Sequence, residues 1–228
     1  MQLFYTSEIN HSSESYHFDK EESKHIVKVL RKKEGDILHV TNGLGFLYKT
    51  EITIAYEKKC TVKIIEIEQK SKESYSIHLA VAPTKMNDRY EWFLEKATEI
   101  GIQEITPIIC DHSERKIIKT DRFEKILQSA MKQSNQFYLP KLNEPITFKQ
   151  FIDKNHDGNL FIAHCEDTEK NELKDNIPLK EKYILLIGPE GDFSTKEIET
   201  AISKNFKPVA LGNTRLRTET AAVVACHT

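Results

Sequence analysis

Two different periods of apolar residues divide the chain. Up to about residue 72 the apolar positions come in short runs of β-branched and aromatic residues separated by tight turns. Ile37-Leu38-His39-Val40-Thr41 leads into Asn42-Gly43-Leu44-Gly45 and then Phe46-Leu47-Tyr48-Lys49-Thr50. Asn and Gly accept positive φ, so this pattern predicts a hairpin. Glu51 to Tyr56 and Thr61 to Glu68 add two more short β runs, the second nearly alternating, as a half-buried strand should. Several short strands with tight turns predict a small barrel. One helix interrupts them, from about Glu21 to Lys32, with Ile26, Val29 and Leu30 spaced to face the core. On that helix Lys24, Lys28 and Arg31 share a stripe, with His25, Lys32 and Lys33 beside it. The polar, aperiodic stretch Gln69 to Ser74 marks a boundary, dividing the chain into domains 1–72 and 73–228.

From Tyr75 onward, strands alternate with helical periods. Ser76 to Ala82 predicts a strand, and Asp88 to Ile100 an amphipathic helix closed by Gly101. Glu104 to Cys110 follows as a strand, Asp121 to Ser134 as a helix and Asn159 to Cys165 as a strand. Tyr183 to Ile187 is apolar throughout, as a central parallel strand should be. A helix from about Thr195 to Asn205, a strand at Pro208 to Leu211 and a helix from about Thr218 complete the chain. This alternation predicts an α/β domain with a mainly parallel sheet. Ligands in such sheets sit at the carboxyl ends of the strands, so the loops there carry the candidate chemistry.

Composition narrows the classes. The 228 residues are 39% hydrophobic and 30% charged, a globular profile with enough chain to bury a core without disulfides or metal. No run of about 18 apolar residues predicts a membrane helix, and the first eight residues have neither the basic nor the apolar part of a secretory signal. Cys60, Cys110, Cys165 and Cys226 form no CxxC pair and fit a reducing, cytoplasmic setting. The net charge of −2 is unlike that of a highly basic nucleic-acid binder, although a local basic patch is compatible with it. The nine histidines show no ligand-type pairing with one another or with carboxylates, so no metal is expected.

Two loops stand out. Gly188-Pro189-Glu190-Gly191-Asp192-Phe193-Ser194 leaves the apolar strand and opens a helix. Ser194 and Glu197 have capping-box spacing, and Gly188 and Gly191 would permit positive φ and close approach of backbone to a ligand. The loop is neither GxGxxG nor GxxxxGK[ST], so the dinucleotide and P-loop readings lack their motifs. The second loop, Leu211-Gly212-Asn213-Thr214-Arg215-Leu216-Arg217-Thr218, places two arginines at the same end of the sheet, with Thr218 as the expected N-cap. Each loop alone is also compatible with an ordinary turn.

Taken together, IGPEGDFS and LGNTRLRTETA resemble the signature of the bacterial 16S ribosomal RNA uridine-N3 methyltransferases, members of the SPOUT class. His25-Ile26-Val27-Lys28-Val29-Leu30-Arg31 is similar to that family's N-terminal element. Lys85 with Asp88-Arg89, Glu95 to Gly101 and Ile105-Thr106-Pro107 match its middle, so the resemblance runs over nearly the whole chain. It implies a PUA-like β-barrel followed by an α/β domain with a trefoil knot. It also implies S-adenosylmethionine as cofactor, the small-subunit RNA as partner, and a homodimer formed through the knot domain. The implied cofactor pocket comprises Ala163 and His164 (with Cys165 beside them), Gly188, Pro189, Glu190 and Gly191, then Leu211, Gly212, Leu216, Arg217 and Thr218. Two positions depart from the family pattern: Asp192 stands where a second glycine is expected, and Gln136 where an arginine is expected.

Methylation at uridine N3 requires the N3 proton to leave and places negative charge on N3 and the flanking carbonyl oxygens. Arg217 suits that charge, and Glu219 is the nearest carboxylate in sequence for a base. The competing roles are an ion pair of Arg217 with Glu219 or Glu190, and a dipole-complementing Glu219 at a helix start. His164-Cys165 is not expected to act as a nucleophile pair, since neighbouring strand residues face opposite ways. Lys24, His25, Lys28, Arg31 and Lys32 are the candidate RNA contacts, a solvated helix face being the alternative. Other readings of the whole chain are a methyltransferase acting on a ribose hydroxyl or a transfer RNA base, and a non-catalytic RNA-binding assembly protein.

Overall fold

The computed structural model describes residues 1–166, 169–177 and 181–228. It divides into two compact units, one formed by residues 1–72 with 131–139 and the other by residues 73–130 with 140–228.

The first unit is a five-stranded sheet. Its strands are β1 (Leu3–Tyr5), β2 (Ser15–His17), β3 (Ile37–Thr41), β4 (Phe46–Ile54) and β5 (Thr61–Gln69), in the order β1-β3-β4-β5-β2. Only β1 and β3 pair in parallel. Edges β1 and β2 curl toward each other: the Phe4 and Phe18 rings lie 5.8 Å apart, and Thr6 Oγ1 donates to the Tyr16 hydroxyl at 2.9 Å. The core inside the curl is Phe4, Ile26, Leu38, Val40, Tyr48, Ile52 and Val62 with their neighbours. The expected hairpin joins β3 to β4, with Gly43 and Gly45 at φ of 74° and 90°. The runs expected as separate strands on either side of Thr50 are one strand, β4. Register shifts at Lys49/Thr50 and Ile52/Ile54 bend it without interrupting the burial of Tyr48, Thr50 and Ile52.

The helix expected over residues 21–32 is shorter and changes pitch. α1 (Lys20–Lys24) is capped by Asp19, whose carboxylate accepts from Glu22 N at 2.7 Å, and it passes into a π-helical turn over His25–Val29. Arg31 follows at φ 55°, outside any helix. A wider turn shifts the faces. Ile26 is fully buried and Val27 and Leu30 pack beside it, but Val29, expected inside, is 64% exposed.

The second unit contains β6 (Ser76–Val81), α2 (Asn87–Ile100), β7 (Glu104–Ile109), α3 (Thr120–Gln133), β8 (Lys141–Leu142), β9 (Ile146–Thr147), α4 (Phe148–Ile152), β10 (Asn159–Ala163), β11 (Asn171–Glu172), β12 (Lys182–Ile187), α5 (Thr195–Ser203), β13 (Lys207–Ala210) and α6 (Thr218–His227). The final residues of α3 belong with the first unit. The sheet order is β11-β13-β10-β12-β6-β7-β8, with β9 also on β7, and every pairing is parallel. Alternate residues of β6, β10 and β12 (Ala80, Ile162, Ile184 and Leu186) pack with Phe148, Phe151, Ile198 and Ala201 of α4 and α5. α6 packs on β6 and β12, and α2 on α6. With apolar packing on both faces, the central strands need the unbroken apolar run that β12 shows.

At the amino ends of β6 and β7, His78 Nε2 lies 2.7 Å from Thr106 Oγ1, and Asn143 Nδ2 donates to both Thr106 Oγ1 and Glu104 Oε1. Burial pulls the His78 pKa down to about 4; Glu104 opposes this, and His156, Lys141 and Lys154 reinforce it. Between about pH 6.5 and pH 4 the unfolded chain therefore takes up a proton at His78 that the folded chain does not. Stability is expected to fall as pH drops through that window, by at most about 3 kcal/mol from this residue. Urea unfolding of wild type and His78→Gln across pH 4–7 checks this: the variant should lose that part of the slope, and parallel profiles would show that His78 does not contribute it.

Candidate functional site

Strands β13, β10 and β12 are neighbours, with Ala163 in register with both Val209 and Ile187. Because all three run in parallel, the loops that follow them emerge together at one edge of the sheet.

Two adjoining clefts lie among these loops. The larger, of about 250 Å³, is bounded by Ala163, His164, Cys165 and Lys170, by Ile187, and by Val209 to Leu216. The smaller, of about 120 Å³, is bounded by Gly188, Pro189, Glu190, Asp192 and Arg215 to Thr218, and shares Ala163, Cys165, Ile187, Arg215, Leu216 and Ala221 with the first. Ala163, His164, Leu211, Gly212 and Leu216 thus line the larger cleft, while Gly188, Pro189, Glu190, Arg217 and Thr218 line the smaller. Gly191 and Glu219 line neither.

The loop of Gly188 is held by polar bonds on several sides. The Ser194–Glu197 capping box is present in full. Ser194 Oγ donates to Asp111 Oδ2 at 2.6 Å, and Asp111 N donates to Glu197 Oε1 at 3.0 Å. His112 Nδ1 lies 3.1 Å from the carbonyl oxygens of both Gly191 and Asp192. Glu190 Oε1 accepts from Lys85 N at 2.9 Å, and Arg115 Nη2 donates to Lys85 O at 2.9 Å.

This geometry corrects several expectations. Positive φ in this loop falls on Asp192, at 65°, and neither Gly188 nor Gly191 adopts it. A Cβ on Gly191 would meet His112 Cβ at 3.1 Å, so that glycine makes room for a histidine side chain. Thr218 is not the N-cap. Arg217 holds that position without a capping side chain, while Thr218 Oγ1 donates to Gly188 O at 3.1 Å and ties the two loops together. Glu219 is 6% exposed and faces α2, with Oε1 3.8 Å from Arg89 Nε and Oε2 buried without a partner among the described residues.

Arg217 is exposed, and among the described residues its guanidinium has no ion-pair partner; Glu219 and Glu190 are engaged by Arg89 and Lys85. His164 is 7% exposed, and among the described residues neither ring nitrogen has a hydrogen-bond partner. Burial, reinforced by Lys170, lowers its pKa and favours the neutral ring. Lys170 Nζ donates to His164 O at 3.0 Å and also bonds Glu166 O. Sequence reasoning missed Lys170 and His112, which lie on segments with no motif.

In the first unit Lys24, His25, Lys28 and Arg31 are exposed and Lys32 is half-buried. Lys28 Nζ pairs with Glu57 at 3.1 Å. The change to π pitch and the left-handed Arg31 break the single α-helical stripe expected of Lys24, Lys28 and Arg31. Among the described residues no helix is long and apolar enough to cross a membrane, and no group of three or more His, Cys, Asp and Glu is placed to hold a metal.

Residues 71–228 match the family model of the RNA methyltransferase domain, and residues 18–65 match that of the RNA methyltransferase PUA domain. The class is therefore that of RNA methyltransferases carrying a PUA domain. Ribosomal RNA small subunit methyltransferase E of Buchnera aphidicola is 33% identical, over 92% of this chain and 85% of the relative. The crystal structure of a probable rRNA-methyltransferase from Porphyromonas gingivalis superposes with a TM-score of 0.92 at 39% identity, covering 99% of this chain and 95% of that one. The S-adenosyl methionine-bound Ribosomal RNA small subunit methyltransferase E of Neisseria gonorrhoeae gives a TM-score of 0.85 at 26% identity, covering 99% and 95%. This chain belongs to the ribosomal RNA small subunit methyltransferase E family.

Proposed function

We propose that this chain methylates N3 of a uridine in 16S ribosomal RNA, with S-adenosylmethionine as methyl donor. The observation that carries the reading is the pair of clefts at the carboxyl ends of β10, β12 and β13, with an unpartnered guanidinium at the smaller one. The residues present fit the cofactor. Ile187, Val209, Leu211 and Leu216 offer apolar walls, the two unpartnered nitrogens of buried His164 await polar groups, and open space lies above Gly212. A His164 kept neutral adds no positive charge beside a sulfonium. Bound there, S-adenosylmethionine supplies a methyl group already activated on sulfur.

The protein's part is to align the base and stabilise charge. As the N3 proton passes to solvent water, charge spreads onto the two ring carbonyl oxygens, and Arg217 is free to donate to them. Ala163, His164, Gly188, Pro189, Glu190, Leu211, Gly212, Leu216 and Thr218 form the proposed cofactor pocket, with Gly191 supporting its loop through His112. Glu219 acts in this reading through Arg89 and the packing of α2 on α6 rather than as the base. The reading extends to a SPOUT trefoil knot in domain 73–228, a homodimer formed through that knot domain, and a cytoplasmic, metal-free enzyme. Domain 1–72 is the proposed PUA-like RNA-binding barrel.

Transfer of tritium from labelled S-adenosylmethionine to small-subunit RNA, followed by nucleoside analysis, tests the reaction. The expected product is 3-methyluridine; label in a 2′-O-methyl nucleoside or in transfer RNA would select another member of the fold, and binding of RNA without transfer would make the chain an assembly protein. RNA contact by the first unit is tested separately. Replacing Lys24, Lys28 and Arg31 by Glu together is expected to weaken RNA binding, to flatten its salt dependence by up to about three phosphate equivalents, and to spare cofactor affinity. Equal RNA affinity and an equal salt slope would leave these residues as solvated surface.

A further inference from the structure

Residue 192 combines three features in one side chain and its backbone. It is an aspartate at φ 65°, a conformation that glycine adopts freely and that Asp and Asn tolerate better than other residues. Its amide donates to Pro189 O at 2.9 Å, closing the turn. Its carboxylate reaches out of the turn: Oδ1 accepts from Phe193 N at 2.9 Å, and Oδ2 accepts from Cys165 N at 2.7 Å. Cys165 lies just past β10, where the ladder to β12 has ended at Ala163–Ile187. The carboxylate therefore continues a connection between the two strands beyond the reach of their backbone hydrogen bonds. On the other side of the same turn, His112 holds the carbonyls of Gly191 and Asp192.

We propose that Asp192 is a positioning residue that sets the separation between the loop after β10 and the loop after β12, and so the width of the cofactor cleft. The inference rests on the cofactor reading above. Cys165 bounds both clefts and His164 the larger, whereas Gly188 to Glu190 bound only the smaller. A short bond from a charged carboxylate to a backbone N–H is of the stronger kind. Beside it, Thr195 Oγ1 at the start of α5 donates to Glu166 Oε1 at 2.8 Å, a bond between side chains that leaves the backbone of Cys165 to Asp192. A glycine here would keep the turn and lose the bond.

Asp192→Gly separates the two contributions, because it preserves the left-handed turn and deletes the carboxylate. The variant is expected to fold with a melting temperature within a few degrees of wild type. Its affinity for S-adenosylmethionine should fall on the order of tenfold, as loss of a charge-assisted bond implies. The cofactor KM should rise with kcat at saturation little changed, RNA affinity should stay the same, and the Cys165 amide should exchange with solvent at least tenfold faster. Asp192→Asn keeps one acceptor oxygen and tolerates the same φ, so it should fall between the two. Wild-type cofactor affinity in Asp192→Gly, or an unchanged exchange rate at Cys165, overturns the proposal. So does a large drop in melting temperature with RNA and cofactor binding lost together, since that marks general support of the fold. Failure of the wild-type protein to bind S-adenosylmethionine would instead refute the site reading beneath it.

Discussion

Replacing Arg217 by alanine is expected to slow methyl transfer by a factor of roughly 10² to 10³ while changing the affinity for cofactor and RNA much less. Neutral uridine presents only carbonyl dipoles to a guanidinium, whereas the ring that is losing its N3 proton presents a delocalised anion. The attraction strengthens along the reaction, which is the condition for raising turnover rather than binding. The surroundings of Arg217 leave it free for this. It is exposed at the smaller cleft, its side chain makes no capping bond although its carbonyl accepts from Ala221 N at the N-cap of α6, and the two carboxylates nearest in motif are bound elsewhere. Lysine at this position should rescue only in part, since a point charge does not match two oxygens in a plane. Raising the pH should help Arg217→Ala more than wild type, because bulk deprotonation of N3 replaces what the cation had favoured. Single-turnover methylation over a pH series, with both ligand affinities measured apart, reads all of this. A variant that kept its chemical rate and lost only cofactor affinity would make Arg217 a wall of the pocket.

Local features were legible in the sequence where neighbours a few residues apart decide the outcome. The Ser194–Glu197 capping box, the Asn42–Gly45 hairpin and the Gly101 helix stop are of this kind, and all three are present. The unbroken apolar run of β12 foretold its central place between β10 and β6. What failed depended on partners far along the chain. Thr218 has the chemistry of an N-cap, but its hydroxyl is taken by Gly188 O, thirty positions away. Gly191 has the look of a ligand-facing glycine, but His112 occupies the space before it. The helix after Asp19 has α spacing on paper; the packing of Ile26, Val27 and Leu30 accompanies a π turn that puts Val29 outside. Strands of two residues, such as β8, β9 and β11, are too short for any period to register. For the site, the motifs located the loops, while the lacing by Asp192, His112 and Lys170 emerged only from the fold.

Gly212→Val is expected to reduce affinity for S-adenosylmethionine by at least tenfold while costing little global stability. The two halves of that outcome have separate causes. Gly212 sits at φ 115°, where a β-branched residue is strained by about 1–3 kcal/mol. Nothing lies within 4 Å of a Cβ built on it, so the added side chain meets no neighbour and the backbone at this position can shift to relieve the strain. That movement displaces Leu211 and Leu216, two of the apolar walls of the larger cleft, and carries Arg217 with it. If the loop does not move, the isopropyl group stands in the open space that the proposed cofactor needs. Both routes reduce binding, and neither disturbs the core, since Gly212 is exposed. Gly45→Ala is a useful contrast. It too has positive φ, but its Cβ would overlap the Tyr138 ring, so that variant should lose stability outright and leave the cofactor site of its folded fraction intact. Calorimetric titration of cofactor beside thermal unfolding of both variants separates the two effects. Unchanged cofactor affinity in folded Gly212→Val would remove the loop of residues 211–217 from the pocket.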